Sequence, residues 1–299
     1  MSAPQHLPDS GDRRRALIVA VVLTASFTGV EVVAGLLTGS LALLADAGHM
    51  VTDVGSLAMA LGAFWLAGQP ATRVHSFGFK RAEVLAALAN GVLLVVIAIW
   101  IFVEAAQRFS QPPEILGGWM LAVAAVGLVV NIAVALVLLG PRRGNLNLEA
   151  AFRHVLGDLA GSVGAMVAAL VIITTGWLYA DAVAGVLIAI LIVFSSWTVL
   201  RESVHILMEG APDGIDVGAV ETGLQAVPGV LRSHDLHLWT ITSGFLALSA
   251  HLVIADAAAG ATARCAAERM LHEEFGIEHS TLQVEVDGAE ECELLDCGR

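Results

Sequence analysis

His49 and Asp53 stand four residues apart in the apolar stretch "ADAGHMVTD" (45–53), and His154 and Asp158 repeat that spacing in "AAFRHVLGD" (150–158). On an α-helix, residues i and i+4 project from one face about one turn apart. Two such helices lying antiparallel bring two imidazole nitrogens and two carboxylate oxygens to one point. A tetrahedral set of that kind suits Zn²⁺, a d¹⁰ ion that accepts His and Asp ligands. With both histidines neutral, the two carboxylates and one divalent cation sum to zero charge. The emptied site keeps its negative charge in a low-dielectric surrounding, so it takes up protons when metal leaves. Metal moving one way and protons the other is the chemistry this implies, with His49 and His154 as leading proton carriers because imidazole titrates near neutral pH.

The elements that must position these residues are membrane helices. The chain has 299 residues, 57% of them hydrophobic and only 14% charged, with a mean hydropathy of +0.79, too apolar for an ordinary soluble domain. Six windows of the length needed to cross a hydrocarbon core run over 16–37, 41–66, 83–105, 116–139, 151–174 and 178–200. At roughly 1.5 Å per residue, Asp53 lies about 18 Å inside one end of the second span and Asp158 about 16 Å inside the opposite end of the fifth. Both fall near the bilayer midplane. A central aspartate disfavours insertion by roughly 2.5–3.5 kcal/mol, so something must compensate it.

Lysine and arginine resist translocation. Arg13, Arg14 and Arg15 precede span one, Arg73, Lys80 and Arg81 lie between two and three, Arg142, Arg143 and Arg153 between four and five, and Arg201 follows six; the opposite loops hold only Arg108. Both termini are expected in the cytoplasm, and span one is too long for a cleaved signal peptide. Residues 1–15 read as a cytoplasmic tail, 16–208 as the six-helix membrane domain and 209–299 as a separate domain. From Asp213 onward fifteen acidic residues face four arginines, so this last part carries −11 of the formal −13. Its pattern reads helix, strand, strand, helix, strand, a cytoplasmic α+β fold of ferredoxin-like or metallochaperone-like type. In a reducing cytoplasm Cys265, Cys292 and Cys297 read as thiols or metal ligands, with Cys265 in the core of its helix and His272 on the surface.

Other polar groups are less specific. Glu31, Asn90, Asn131 and Asp181 fit interhelical hydrogen bonding or a hydrated path equally well. Asp46 precedes His49 by one turn and has no assigned role. Glycines such as Gly35, Gly48, Gly62, Gly91 and Gly161 are expected to permit close helix contact. An intramembrane metal hydrolase needs an open coordination position for water, which four protein ligands would close, and the chain has neither HExxH nor a nucleophile motif. No enzyme is expected. A metal-gated channel or passive zinc uniporter without proton coupling stays open as an alternative.

The segments "GSLALLADAGHMVTDVGSLAMAL", "HSFGFKRAEVLAALANG", "NLNLEAAFRHVLGDLAGSVG", "LMEGAP" and "HDLHLWTITSG" together resemble the cation diffusion facilitator family, nearest its zinc-transporting branch. The likeness runs from span one to "TLQVE". It implies a homodimeric zinc/proton antiporter that exports zinc, with cadmium as usual second substrate, from the cytoplasm across a bacterial inner membrane. The family's transport ligands carry over onto His49, Asp53, His154 and Asp158. The loop "GPRRGNLNLE" lacks the histidine-rich insertion of many eukaryotic relatives. In the tail, the resemblance places regulatory zinc on His234, His251, His279 and Glu285; Asp287, Cys292 and Cys297 follow with the looser C-x₄-C spacing, and His237 reads as an ordinary sheet histidine. The implied partners are zinc, protons, lipid and a second copy of the chain, with no nucleic acid.

Overall fold

The computed structural model describes residues 10–139, 146–242 and 244–288, and within its helices a few side chains, His154 among them, fall outside that description. Six long helices come first: α1 (Ser10–Thr38), α2 (Leu41–Ala67), α3 (Ala82–Ser110), α4 (Gly117–Leu139), α5 (Leu146–Thr175) and α6 (Tyr179–Leu207). The remainder folds as α7 (Val217–Ala226), β1 (Val230–Thr242), β2 (Phe245–Ile254), a short 3₁₀ turn (Ala257–Ala259), α8 (Gly260–Phe275) and β3 (His279–Val286). Each expected element is present. Five of the long helices carry windows apolar enough to cross a membrane by length and composition, and α2, with 27 residues, spans roughly 40 Å. Helices satisfy their own backbone groups, which is what a hydrocarbon interior demands.

The chain divides into two compact units, the first running to Gly62 and resuming over Ala86–Leu200, the second formed by Ala63–Leu85 with the chain from Arg201. In the first, large apolar side chains such as Leu36, Leu37, Val129, Phe194 and Trp197 face outward. Glu31, Asp46, Asn131, Asp158, Ser162 and Asp181 are buried instead. That inversion of a soluble protein's pattern is what a lipid surrounding selects. The interior itself is small-residue packing: Ala42, Ala45, Ala98, Ala124, Ala165, Ala168 and Ala189 join one cluster with Leu41, Ile101 and Met120.

One buried network fixes the start of α2. Gly39 closes α1 in the left-handed region, at φ 70°, where glycine carries no Cβ penalty. Ser40 then caps α2, its hydroxyl oxygen accepting from Leu43 N–H at 3.2 Å. Asp181 of α6, with no solvent exposure, accepts from the Ser40 hydroxyl at 2.6 Å, Leu41 N–H at 2.6 Å and Ala42 N–H at 3.1 Å. Arg108 of α3 donates to Asp181 Oδ2 at 3.1 Å and to the Gly39 carbonyl at 2.6 Å. The anion sits at a helix N-terminus, where the backbone dipoles favour it. This explains the lone basic residue on its side of the membrane: Arg108 is there for Asp181.

In the second unit β1 and β2 pair antiparallel and β2 and β3 parallel, in the order β1-β2-β3. Val220, Leu224, Leu238, Leu248, Leu252, Ala263, Ala267 and Leu271 form its core. The loop between α2 and α3 belongs here. Arg81 pairs with Glu209 at 3.0 Å, Thr242 donates to Glu83 Oε2 at 2.7 Å, and Lys80 Nζ stands 4.5 Å above the Phe245 ring. Arg81–Glu209 is solvent-exposed, worth about 0–1 kcal/mol. Cys265 is exposed, contrary to the expected core position. Helix α8 buries Ala263, Ala267 and Leu271, an i, i+4, i+8 stripe whose phase leaves residue 265 outside it. His272 is exposed as expected.

Candidate metal centres

His49 and Asp53 lie on one face of α2, and α5 brings Asp158 against them. His49 Nε2 stands 3.6 Å from Asp53 Oδ2 and 3.8 Å from Asp158 Oδ1. One ligand atom from each of the three lies within 4.8 Å of the others. A tetrahedron with metal–ligand bonds of about 2.0–2.2 Å has edges of roughly 3.3–3.6 Å, so both separations from His49 Nε2 are close to ligand spacing. Asp158 is buried and the other two are half-buried. His154 lies on α5 one turn before Asp158, with its side chain outside the described residues.

Close approach of helices makes this possible. A Cβ on Gly161 would meet Asp46 Oδ1 at 2.7 Å, so α2 and α5 meet where α5 has no side chain. Asn131 of α4 donates to Ser162 at 3.2 Å, tying α5 to its other neighbour. Of the polar groups with open assignments, Asn131 is therefore a helix-to-helix hydrogen bond and Asp181 the cap of α2.

The sheet builds a second centre. His234 and His251 are direct partners across β1 and β2, and Glu285 lies on the adjacent β3. Glu285 takes His234 Nε2 at 2.9 Å on one oxygen and His251 Nδ1 at 2.7 Å on the other, and Gln283 donates to it at 2.9 Å. The three could hold one ion. Partial burial pushes the Glu285 carboxyl up, but the hydrogen bonds from His234 and Gln283 and the charges of His251 and His234 outweigh it and hold it below the usual value. A depressed carboxylate keeps its charge as pH falls, so Glu285 stays ionised and able to ligate below the usual carboxylate range.

His279, placed with this set by resemblance, stands apart. It opens β3 opposite Ala247, six residues or roughly 20 Å along the strand from Glu285, with its ring edge-on to Phe77 at 5.3 Å and stacked on Phe245 at 6.1 Å. Asp287 is exposed and absent from the cluster; Cys292 and Cys297 lie outside the described residues. His237 is exposed and bonded to Asp235 at 3.0 Å. Asp235 is the residue the sequence reading missed. A β-bulge between His234 and His237 puts Asp235 at φ 50° and turns its second oxygen to 3.7 Å from His251 Nε2. Only its position inside "HDLH" pointed to it, because strict alternation would have sent it to the other face. Substituting Glu285→Ala should lower zinc affinity of the tail at least tenfold. With Glu285 in place, tail affinity should fall on acidification, because protons compete with the metal for its ligands. Isothermal titration of full-length protein with transport-site ligands removed measures both.

Residues 17–208 match the family description "Cation efflux transmembrane domain", and residues 212–287 match "Cation efflux protein, cytoplasmic domain". The chain belongs to the cation efflux family. The "Cadmium, cobalt and zinc/H(+)-K(+) antiporter" of Bacillus subtilis is 41% identical over 94% of this chain and 92% of its own length. The zinc transporter ZitB of Escherichia coli is 41% identical over 98% of this chain and 92% of its own. Among solved structures, the metal-bound C-terminal domain of the CzcD transporter from Cupriavidus metallidurans is similar at 38% identity over 24% of this chain and 99% of that one, with a TM-score of 0.22. This cation efflux protein is thus a multi-pass membrane transporter of metal cations.

Proposed function

We propose that the protein is a secondary active transporter that exports Zn²⁺ from the cytoplasm in exchange for protons, with Cd²⁺ as second substrate, through a tetrahedral site between α2 and α5. The observation that carries this reading is the convergence of His49, Asp53 and Asp158 at ligand spacing inside an apolar helix bundle. His154 supplies the fourth ligand. Two imidazole nitrogens and two carboxylates favour Zn²⁺ or Cd²⁺ over Mg²⁺, which demands octahedral oxygen ligation. The names of the Bacillus subtilis and Escherichia coli relatives support the substrate and the proton exchange. Four protein ligands leave no position for a reacting water, in keeping with transport rather than catalysis.

The loop charges support cytoplasmic termini in a bacterial inner membrane. The tail, residues 209–299, takes regulatory zinc on His234, His251 and Glu285 and contributes to a homodimer, which the matched cytoplasmic domain supports. Its charge, −11 from Asp213 onward, attracts cations. Competition in everted membrane vesicles tests the substrate class. Zinc uptake should be suppressed by equimolar cadmium and left unchanged by a large excess of magnesium. Equal suppression by magnesium would contradict a nitrogen-containing tetrahedral site.

A further inference from the structure

The metal ligands leave one buried acidic pair unexplained. Glu31 of α1 and Asp46 of α2 are 1% and 2% exposed. Their carboxyl groups lie within hydrogen-bonding reach of each other, yet neither Glu31 Oε2 nor Asp46 Oδ2 receives a hydrogen bond. Gly161 closes the other side of Asp46 with bare backbone. Among the described residues, the charged groups facing the pair are Asp158 of α5, which acts on both, and Asp53 of α2, which acts on Asp46. Helix α4 brings only Asn131, which is bonded to Ser162.

Two ionised carboxylates side by side in a low-dielectric interior repel each other, and each unsatisfied oxygen forfeits a hydrogen bond. A single proton removes both penalties, because it neutralises one group and becomes the missing donor. We propose that Glu31 and Asp46 form a proton-binding site, holding one proton between their carboxyl groups and exchanging it with solvent in step with metal occupancy at His49, Asp53 and Asp158. This deepens the proton-coupled reading above and rests on it. A divalent cation between Asp53 and Asp158 cancels the negative charges that face the pair, so metal binding and proton release are linked, each weakening the hold on the other.

The test counts protons released per zinc bound, using a pH indicator in weakly buffered solution, for the full-length protein in lipid nanodiscs and for Glu31→Gln and Asp46→Asn. Each amide keeps the side-chain volume and can donate to the remaining carboxyl, but titrates no proton. Unmodified protein should release about one proton more per protomer than either variant. Equal release from all three would overturn the pair and leave metal/proton exchange standing. No release even from unmodified protein would overturn the exchange reading itself. For a variant that no longer binds zinc, the infrared C=O stretch of a buried protonated carboxyl decides in metal-free samples. Its presence in unmodified protein and loss in both variants supports the pair; an identical band in all three overturns it.

Discussion

Replacing Asp158 with alanine is expected to lower zinc transport by more than about 100-fold, the upper range for losing a mere outer-shell partner of a metal site. The residue is 4% exposed and stands 3.8 Å from His49 Nε2, so in the proposed site its carboxylate acts as both ligand and charge. Without it, a divalent cation leaves the site with a net positive charge in a low-dielectric interior. Asp158→Asn separates the two roles. It keeps an oxygen ligand and loses the charge, and should stay close to Asp158→Ala. Initial zinc uptake by vesicles containing equal amounts of each protein measures this; more than a tenth of normal transport in Asp158→Ala would show that the ligand assignment is wrong.

The second large effect is on stability. Asp181→Ala removes the acceptor of three hydrogen bonds at the start of α2 and takes one of its two carboxylate partners from the buried Arg108 guanidinium, leaving it only Glu104 at 3.1 Å. Losing one member of a buried ion pair costs about 3–5 kcal/mol, and a lost helix cap about 1 kcal/mol. These effects share the same groups and do not simply add. The expected outcome is a clearly lower thermal midpoint in detergent. The double variant Arg108→Gln/Asp181→Asn should recover part of the loss, because no charge remains at the start of α2 and the half-exposed Glu104 that loses its partner keeps access to solvent. An unchanged midpoint for Asp181→Ala would mean that this network does not hold α2. Since His49 lies two turns from the network along the same helix, a shifted start of α2 should also misplace the metal ligands.

The convergence of His49, Asp53 and Asp158 was legible in the sequence because its information is local. H-x-x-x-D is a helical spacing, it occurs twice, and the hydropathy windows put both copies at similar depth. The α2 cap was not legible. Its partners lie 73 residues apart in Arg108–Asp181 and 140 apart in Leu41–Asp181, and nothing local marks Asp181 as an acceptor for another helix's backbone. Arg108 appeared only as a stray positive charge. In the tail, His234, His251 and Glu285 come together through strand register, which the resemblance supplied and alternation alone did not. His279 followed the same resemblance and lies six residues of strand away from Glu285. Asp235 escaped because a bulge reverses its face, a change that one residue of irregular backbone makes and periodicity cannot see. The Cys265 error was one of helical phase. Asp46, unassigned from sequence, gains meaning only once α1 brings Glu31 beside it.

The central claim is that metal and protons move in opposite directions through one His/Asp site. The most direct measurement is zinc flux into proteoliposomes holding purified protein, with internal pH recorded simultaneously. The account predicts that zinc entry is accompanied by proton exit, that an inward-acid pH gradient accelerates it, and that both fluxes vanish together in Asp158→Ala. Zinc entry that leaves internal pH unchanged and ignores an imposed gradient would contradict it, and would make the protein a passive zinc pathway.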